Sequence, residues 1–219
     1  APVFMLLTNF FTNFAGGNVE KVAMWANIMS ALASAFTILF LFWTITHLAR
    51  KILKDEVLTT GQTIAILGSG LVGALGYTFS DTFWFSAVEG EVYATSSLIT
   101  AFVFWAILKW ENVADEKYSN RWIILIAYIV GLSIGVHLLN LLAIPAMVLV
   151  YYFKKYEITR KGVIWSLIIS LIILGAIMWG VVPGVVKTAF IFDLIFVNGF
   201  GLPFNSGVIF FTLLIFVLL

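Results

Sequence analysis

The 219 residues contain no cysteine. That excludes a disulfide framework, thiolate catalysis and a cysteine-ligated metal. Charge is scarce as well. Asp, Glu, Lys and Arg make up 11% of the chain, less than half of the roughly 25% usual in a soluble domain. The net charge of +1 leaves no basic face of the kind nucleic acid requires. There is no Walker loop, no HExxH and no repeat of 20–50 residues. What fills the chain is apolar: 62% hydrophobic residues and a mean hydropathy of +1.08. The composition is that of an integral membrane protein.

The few cations are not scattered. Ten of the twelve Lys and Arg residues fall in three short stretches: Arg50, Lys51 and Lys54; Lys109, Lys117 and Arg121; Lys154, Lys155, Arg160 and Lys161. Positive charge is retained on the cytoplasmic side of a membrane. Loops 47–62, 111–121 and 154–161 are therefore expected in the cytoplasm, and the loops between them face outward.

The spacing predicts an all-α, polytopic transmembrane bundle of about seven crossings, read as one module over 1–219. Residues 1–23, broken by Thr8, Asn9, Thr12, Asn13 and Gly16-Gly17, suit an interfacial helix and turn. Spans follow at 24–46, at 63–80 with Gly68, Gly70, Gly73 and Gly76 for close packing, and at 92–110, closed by Trp110 at the interface. The stretch 122–153 lies between two basic loops, so both its ends belong on one side. Its thirty-two residues make two crossings of about 16, or about 24 Å each, against a hydrocarbon layer of roughly 30 Å. Two short helices are expected, with a turn near Val136 to Asn140 below the outer surface. Irregular backbone at that depth survives only inside protein or beside a wet cavity. A further span is expected over 162–182, ended by Pro183-Gly184, then an outer-surface segment over 184–205 with Lys187 and Asp193, and a last span from 206.

Two places could carry chemistry. The outward loop from Ser80 to Tyr93 holds Asp81, Glu89 and Glu91 and no cation. Carboxylates at a helix head are favoured by the helix dipole, so they read either as capping groups in a solvated loop or as groups that orient or deprotonate an acceptor hydroxyl. Trp84, with Phe83 and Phe85, equally suits an interfacial aromatic belt. His137 is the one histidine inside an apolar stretch. It reads as a satisfied interior side chain or as a donor to a phosphate at a helix break. Asn140 either shares that ligand or ties down the turn. Proton or ion transport usually needs charges within spans, and these spans are nearly bare. A lipid-linked substrate transporter or a non-catalytic scaffold stays open beside an enzyme.

The run Phe79 to Ala94 (Phe-Ser-Asp-Thr-Phe-Trp-Phe-Ser-Ala-Val-Glu-Gly-Glu-Val-Tyr-Ala), the stretch Trp105 to Glu111 and the run Gly131 to Leu141 resemble a Bacteroidetes membrane family once catalogued as a domain of unknown function. It is similar to the eukaryotic transmembrane O-mannosyltransferase of plexin-type domains and to GT-C glycosyltransferases generally. The resemblance implies a GT-C-like fold in a bacterial inner membrane. It implies transfer of a sugar, mannose by analogy, from a polyprenyl-phosphate donor to a protein hydroxyl at the extracytoplasmic face. Glu91 and Glu89 resemble the second acidic position of such enzymes and are the catalytic candidates. His137 resembles a basic residue near the lipid phosphate. Asn140, Asp81, Trp84 and Tyr93 complete the substrate-binding candidates. The metal requirement stays open, with a divalent cation as the candidate. In the family a first helix and an acidic loop precede the segment matching Ala1-Pro2-Val3-Phe4. The resemblance thus implies an internal fragment, lacking the principal carboxylate, truncated in its last helix and inactive alone.

Overall fold

A computed structural model describes residues 1–53 and 57–218, the side chain of Leu218 excepted. Lys54 of the first basic stretch, and with it part of the 47–62 loop, lies outside the described residues. Every regular element among the described residues is helical. The helices are α1 (Pro2–Thr12), α2 (Glu20–Ile52), α3 (Thr60–Thr78), α4 (Asp81–Val88), α5 (Val92–Val113), α6 (Asn120–Ser133), α7 (Ile144–Lys155), α8 (Arg160–Gly175), α9 (Val182–Leu194) and α10 (Ser206–Leu218). The chain divides into two compact units, Ala1–Val163 and Ile164–Leu219.

Among the described residues four helical stretches are long and apolar enough to cross a membrane: Glu20–Ile52, Val92–Val113, Leu138–Lys155 and Arg160–Gly199. The pair α3 and α4, bent by 68°, makes a fifth if taken as one span, while α6 and α10 are apolar but shorter. The fourteen residues of α6 rise only about 21 Å. The stretch 122–153 is accordingly two helices with a break at 134–137, and both α6 and α7 pack on α5.

Local chemistry sets the boundaries. Proline opens α1, where a missing N–H costs nothing. Gly16 and Gly17, both at positive φ, turn the chain into α2. A reciprocal capping box starts α3: Gln62 N–H donates to Thr59 Oγ1, and Thr59 N–H donates to Gln62 Oε1. Gly70 and Gly73 let α3 lie against α2. A Cβ at these positions would stand 2.5 Å from Thr46 Cγ2 and 2.6 Å from Ile45 Cδ1. Gly68 and Gly76 face open space, so only half of the glycine stripe does the packing expected of it. Gly68, Gly70 and Gly73 also spell G-x-G-x-x-G, but inside a helix and with no strand before it. That context gives packing, not a dinucleotide site.

Helix α5 is the hub of the first unit. Val103, Ala106, Ile107 and Trp110 are sealed from solvent, and the helix packs on α2, α6, α7 and the turn before α7. Trp110 is therefore not an interfacial residue as expected. Its indole stacks on Tyr151 at 5.1 Å in the core, because the residue faces α7.

Ion pairs gather the basic stretches. Lys51 at the end of α2 pairs with Glu111 at the end of α5. Lys154 and Lys155 at the end of α7 reach Asp115 at 2.8 and 3.0 Å, and Lys155 also donates to the Ala114 carbonyl at 2.7 Å. The C-terminal ends of α2, α5 and α7 thus meet at one end of the unit, called the basic end below. At the other end, the Val3 and Phe4 N–H groups donate to the Gly135 carbonyl at 2.9 and 3.4 Å. Phe4 packs with Met29 and Val136. Helix α1 is thereby docked on the break between α6 and α7.

The second unit departs from expectation at Pro183. The helix does not end there but runs on to Gly199. A π-helical segment, Ala176–Val181, immediately precedes the proline. Its wider turn relieves the clash between the proline ring and the preceding turn. Asp193 then caps α10, accepting from the Asn205 and Gly207 N–H groups at 3.3 and 3.1 Å. The residue that the sequence offers only as outer-surface charge holds a helix terminus.

Candidate active site

The end opposite the basic one holds a cavity of about 680 Å³. Asp81 reaches it from the first turn of α4, Glu89 from the link between α4 and α5, and Tyr93 from the first turn of α5. His137 comes from the break before α7. Four of the seven expected residues are thus brought together from three separate stretches of chain. Their side chains converge because α4 turns back by 68° from α3, and because α6 stops short and presents its break beside the head of α5.

His137 is held in a defined state. Its Nδ1 accepts from the Leu139 N–H at 3.2 Å. In the neutral ring the proton is then on Nε2, so the ring offers a donor there. The ring lies 5.7 Å from that of Tyr93, centroid to centroid. The carboxylates differ. Asp81, Glu89 and Glu91 make no ion pair and no side-chain hydrogen bond among the described residues, and Glu91 occupies the cap position of α5 without a capping bond. The helix-cap reading of Glu91 therefore has no hydrogen bond behind it. Glu91 and Trp84 do not line the cavity. Trp84 stacks on Phe79 and is half exposed, as an interfacial aromatic would be.

Asn140 does a different job. It is 3% exposed, and its Oδ1 accepts from Ser96 Oγ at 2.6 Å and from Thr100 Oγ1 at 3.0 Å. Both donors are on α5, so the side chain pins the 138–143 turn to that helix and fixes where His137 sits. Its Nδ2 is buried without a partner, and the residue contributes to the wall of a second cavity of about 480 Å³. This second cavity is largely apolar, with Leu41, Ala101 and Phe104 beside the hydroxyls of Thr37, Thr44 and Thr100. The two cavities share Tyr77, Ser96, Ser97 and Leu139. A chamber that carries two carboxylates and a histidine is therefore adjoined by a more apolar one without charge.

Ser96, Ser97 and Thr100 were not among the expected residues. Their spacing of one and four along α5 puts hydroxyls on one helical face, a signal present in the sequence. Ser133, flanked by Gly131 and Gly135 as G-x-S-x-G, is not a nucleophile. It is fully buried and donates to the Val130 carbonyl at 2.6 Å, without the strand-to-helix turn such a serine needs. Among the described residues no three His, Asp or Glu side chains come together as a metal site, so no chemical step is assigned to a metal here.

Residues 1–160 match the model of a family described as the protein O-mannosyl-transferase TMEM260 N-terminal domain. No curated protein and no solved structure matches the chain.

Proposed function

The chain belongs to the protein O-mannosyl-transferase TMEM260 N-terminal domain family, and from that premise we propose that it forms part of a membrane glycosyltransferase taking mannose from a polyprenyl-phosphate donor. The acceptor is a protein Ser or Thr hydroxyl. The reading has the basic end in the cytoplasm of a bacterial inner membrane and the carboxylate cavity on the outer side.

The observation that carries the reading is the pairing of chambers. One offers Asp81, Glu89 and the Nε2–H of His137; the other is apolar and shares a wall with it. A lipid-linked sugar has the same two-part chemistry. In the proposed step the acceptor oxygen bonds to the sugar C1 as the C1–O bond to phosphate breaks. Glu89 takes the hydroxyl proton, with Asp81 in the same cavity wall orienting the acceptor. A positioned base of this kind contributes about 10²- to 10⁴-fold. The charge left on the polyprenyl phosphate is met by the His137 Nε2–H, a fixed donor where negative charge develops. Glu91, outside the cavity wall, is assigned a lesser part near the acceptor.

The test is mannose transfer from polyprenyl-phosphate-mannose to a Ser/Thr-bearing protein by the natural full-length protein in vesicles, with Glu89→Gln and His137→Ala alongside. Transfer that collapses in both variants while the donor lipid still binds supports the reading. Transfer indifferent to both would keep the enzyme and discard this site. Lipid movement without sugar transfer would make it a transporter.

A further inference from the structure

A third cavity, of about 460 Å³, lies at the basic end, away from the cavity of Asp81 and Glu89. It is lined by Trp43, Thr46 and His47 of α2 and by Trp105 and Lys109 of α5. Its charges do not cancel. Lys51, one turn beyond His47, is already paired with Glu111. Lys109 has no carboxylate partner among the described residues, and its Nζ stands 5.7 Å from the centre of the Trp105 ring. His47 Nε2 is closed off from solvent with no hydrogen-bond partner. The cavity thus combines an unneutralised cation, an orphan imidazole nitrogen and two indoles whose rings stand 5.6 Å apart.

These features select a ligand. A free ammonium calls for oxygen acceptors carrying negative charge, and a ring nitrogen without a partner donates to the same acceptors when it carries the proton. Indole faces at the end of apolar helices suit the headgroup level of a bilayer, where Trp is enriched. A basic pocket between such helices is a place for an anionic lipid headgroup. A zwitterionic headgroup brings its own ammonium, which Lys109 would repel.

We propose that the groove between α2 and α5 at the basic end binds the phosphate headgroup of an anionic phospholipid, gripped by Lys109 and His47 and seated on Trp43 and Trp105. The site is separate from the sugar-transfer chamber and stands or falls independently of it.

Native mass spectrometry of the full-length protein, titrated with phosphatidylglycerol against phosphatidylcholine, tests this. The expected result is preferential retention of phosphatidylglycerol. Lys109→Gln should weaken retention about five-fold, the equivalent of the roughly 1 kcal/mol of one Lys at an anionic surface. His47→Leu should weaken it as well, since it keeps the bulk and removes the donor. Lys161→Gln, in the third basic stretch, should leave it unchanged. Equal retention of the two lipids would overturn the proposal. So would an equal loss in Lys161→Gln, which would mean diffuse surface charge. Displacement of the lipid by inorganic phosphate would overturn the lipid assignment.

Discussion

Two pairs of carboxylates in the first unit, Glu111 with Asp115 and Asp81 with Glu89, are held in opposite ways. At the basic end Glu111 and Asp115 are taken up by Lys51, Lys154 and Lys155, and the pairs tie helix ends together. At the other end Asp81, Glu89 and Glu91 have no such partner among the described residues. A carboxylate held in an ion pair is not free to approach an acceptor hydroxyl. An unpaired one beside a cavity is available for that work. The same residue type ties helix ends together at Glu111 and Asp115 and stands unpaired beside a cavity at Asp81 and Glu89, and the neighbours decide which.

The largest expected effect breaks or confirms that contrast directly. Glu89→Gln should lower the rate of mannose transfer by at least about 100-fold, roughly 2.7 kcal/mol of barrier, with an unchanged melting temperature. Glu111→Gln should leave transfer near wild type. Equal rates for the two variants would erase the distinction between the ends.

Packing gives the next effect. Gly70→Leu must push Thr46 and Phe42 aside and should destabilise the protein by about 1–3 kcal/mol. Gly68→Leu, two residues earlier and on the opposite face of the helix, should be tolerated. Thermal unfolding in detergent compares them, and matching losses would mean that α3 does not lie on α2 as described.

A smaller effect is expected at the turn that carries His137. Thr100→Val removes one of the two donors to Asn140 and should cost about 1 kcal/mol, read from the same melts. No loss, with transfer also intact, would show that the Asn140 anchor does not hold the turn.

The smallest concerns acid. Hydrogen bonds from Lys154 and then Lys155 hold the Asp115 carboxyl below its ordinary value. A folded-state value below the unfolded one adds stability above the usual carboxylate range, and that stability is lost as pH falls through the lowered value. Wild type and Asp115→Asn should therefore differ slightly at neutral pH and converge in acid. The carboxyl is exposed, so salt should shrink the difference. Curves that stay apart in strong acid would assign the effect to something other than this charge.

Much of the fold is legible because apolar length and cation placement are properties of the chain itself. The cost of burying charge in lipid confines Arg50, Lys51, Lys109, Lys154 and Lys155 to helix ends, whatever the packing. The shortness of 122–153 follows from counting residues, and the break found at 134–137 agrees with it. The candidate site was legible only as a collection of residues. Asp81, Glu89, Tyr93 and His137 are spread over more than fifty positions, and nothing in their spacing says that Glu89 enters the cavity wall while Glu91 does not. That depends on where the two-residue step from the end of α4 to the cap of α5 points each side chain. Trp110 misled for a related reason: a tryptophan near a helix end suits an interface or a core equally, and only Tyr151 opposite it decides.

The sequence by itself determined that this is a helical membrane protein with ten of its twelve cations in three short stretches, because hydrophobicity and charge act on each residue in proportion to its own chemistry. Tertiary structure alone decided which carboxylates share a chamber with His137, that Asn140 anchors rather than floats, and that an uncharged, more apolar cavity adjoins the one with the carboxylates. Those are facts about distances between residues far apart in the chain, and only the packing of α5 against α2 and the turn before α7 sets them.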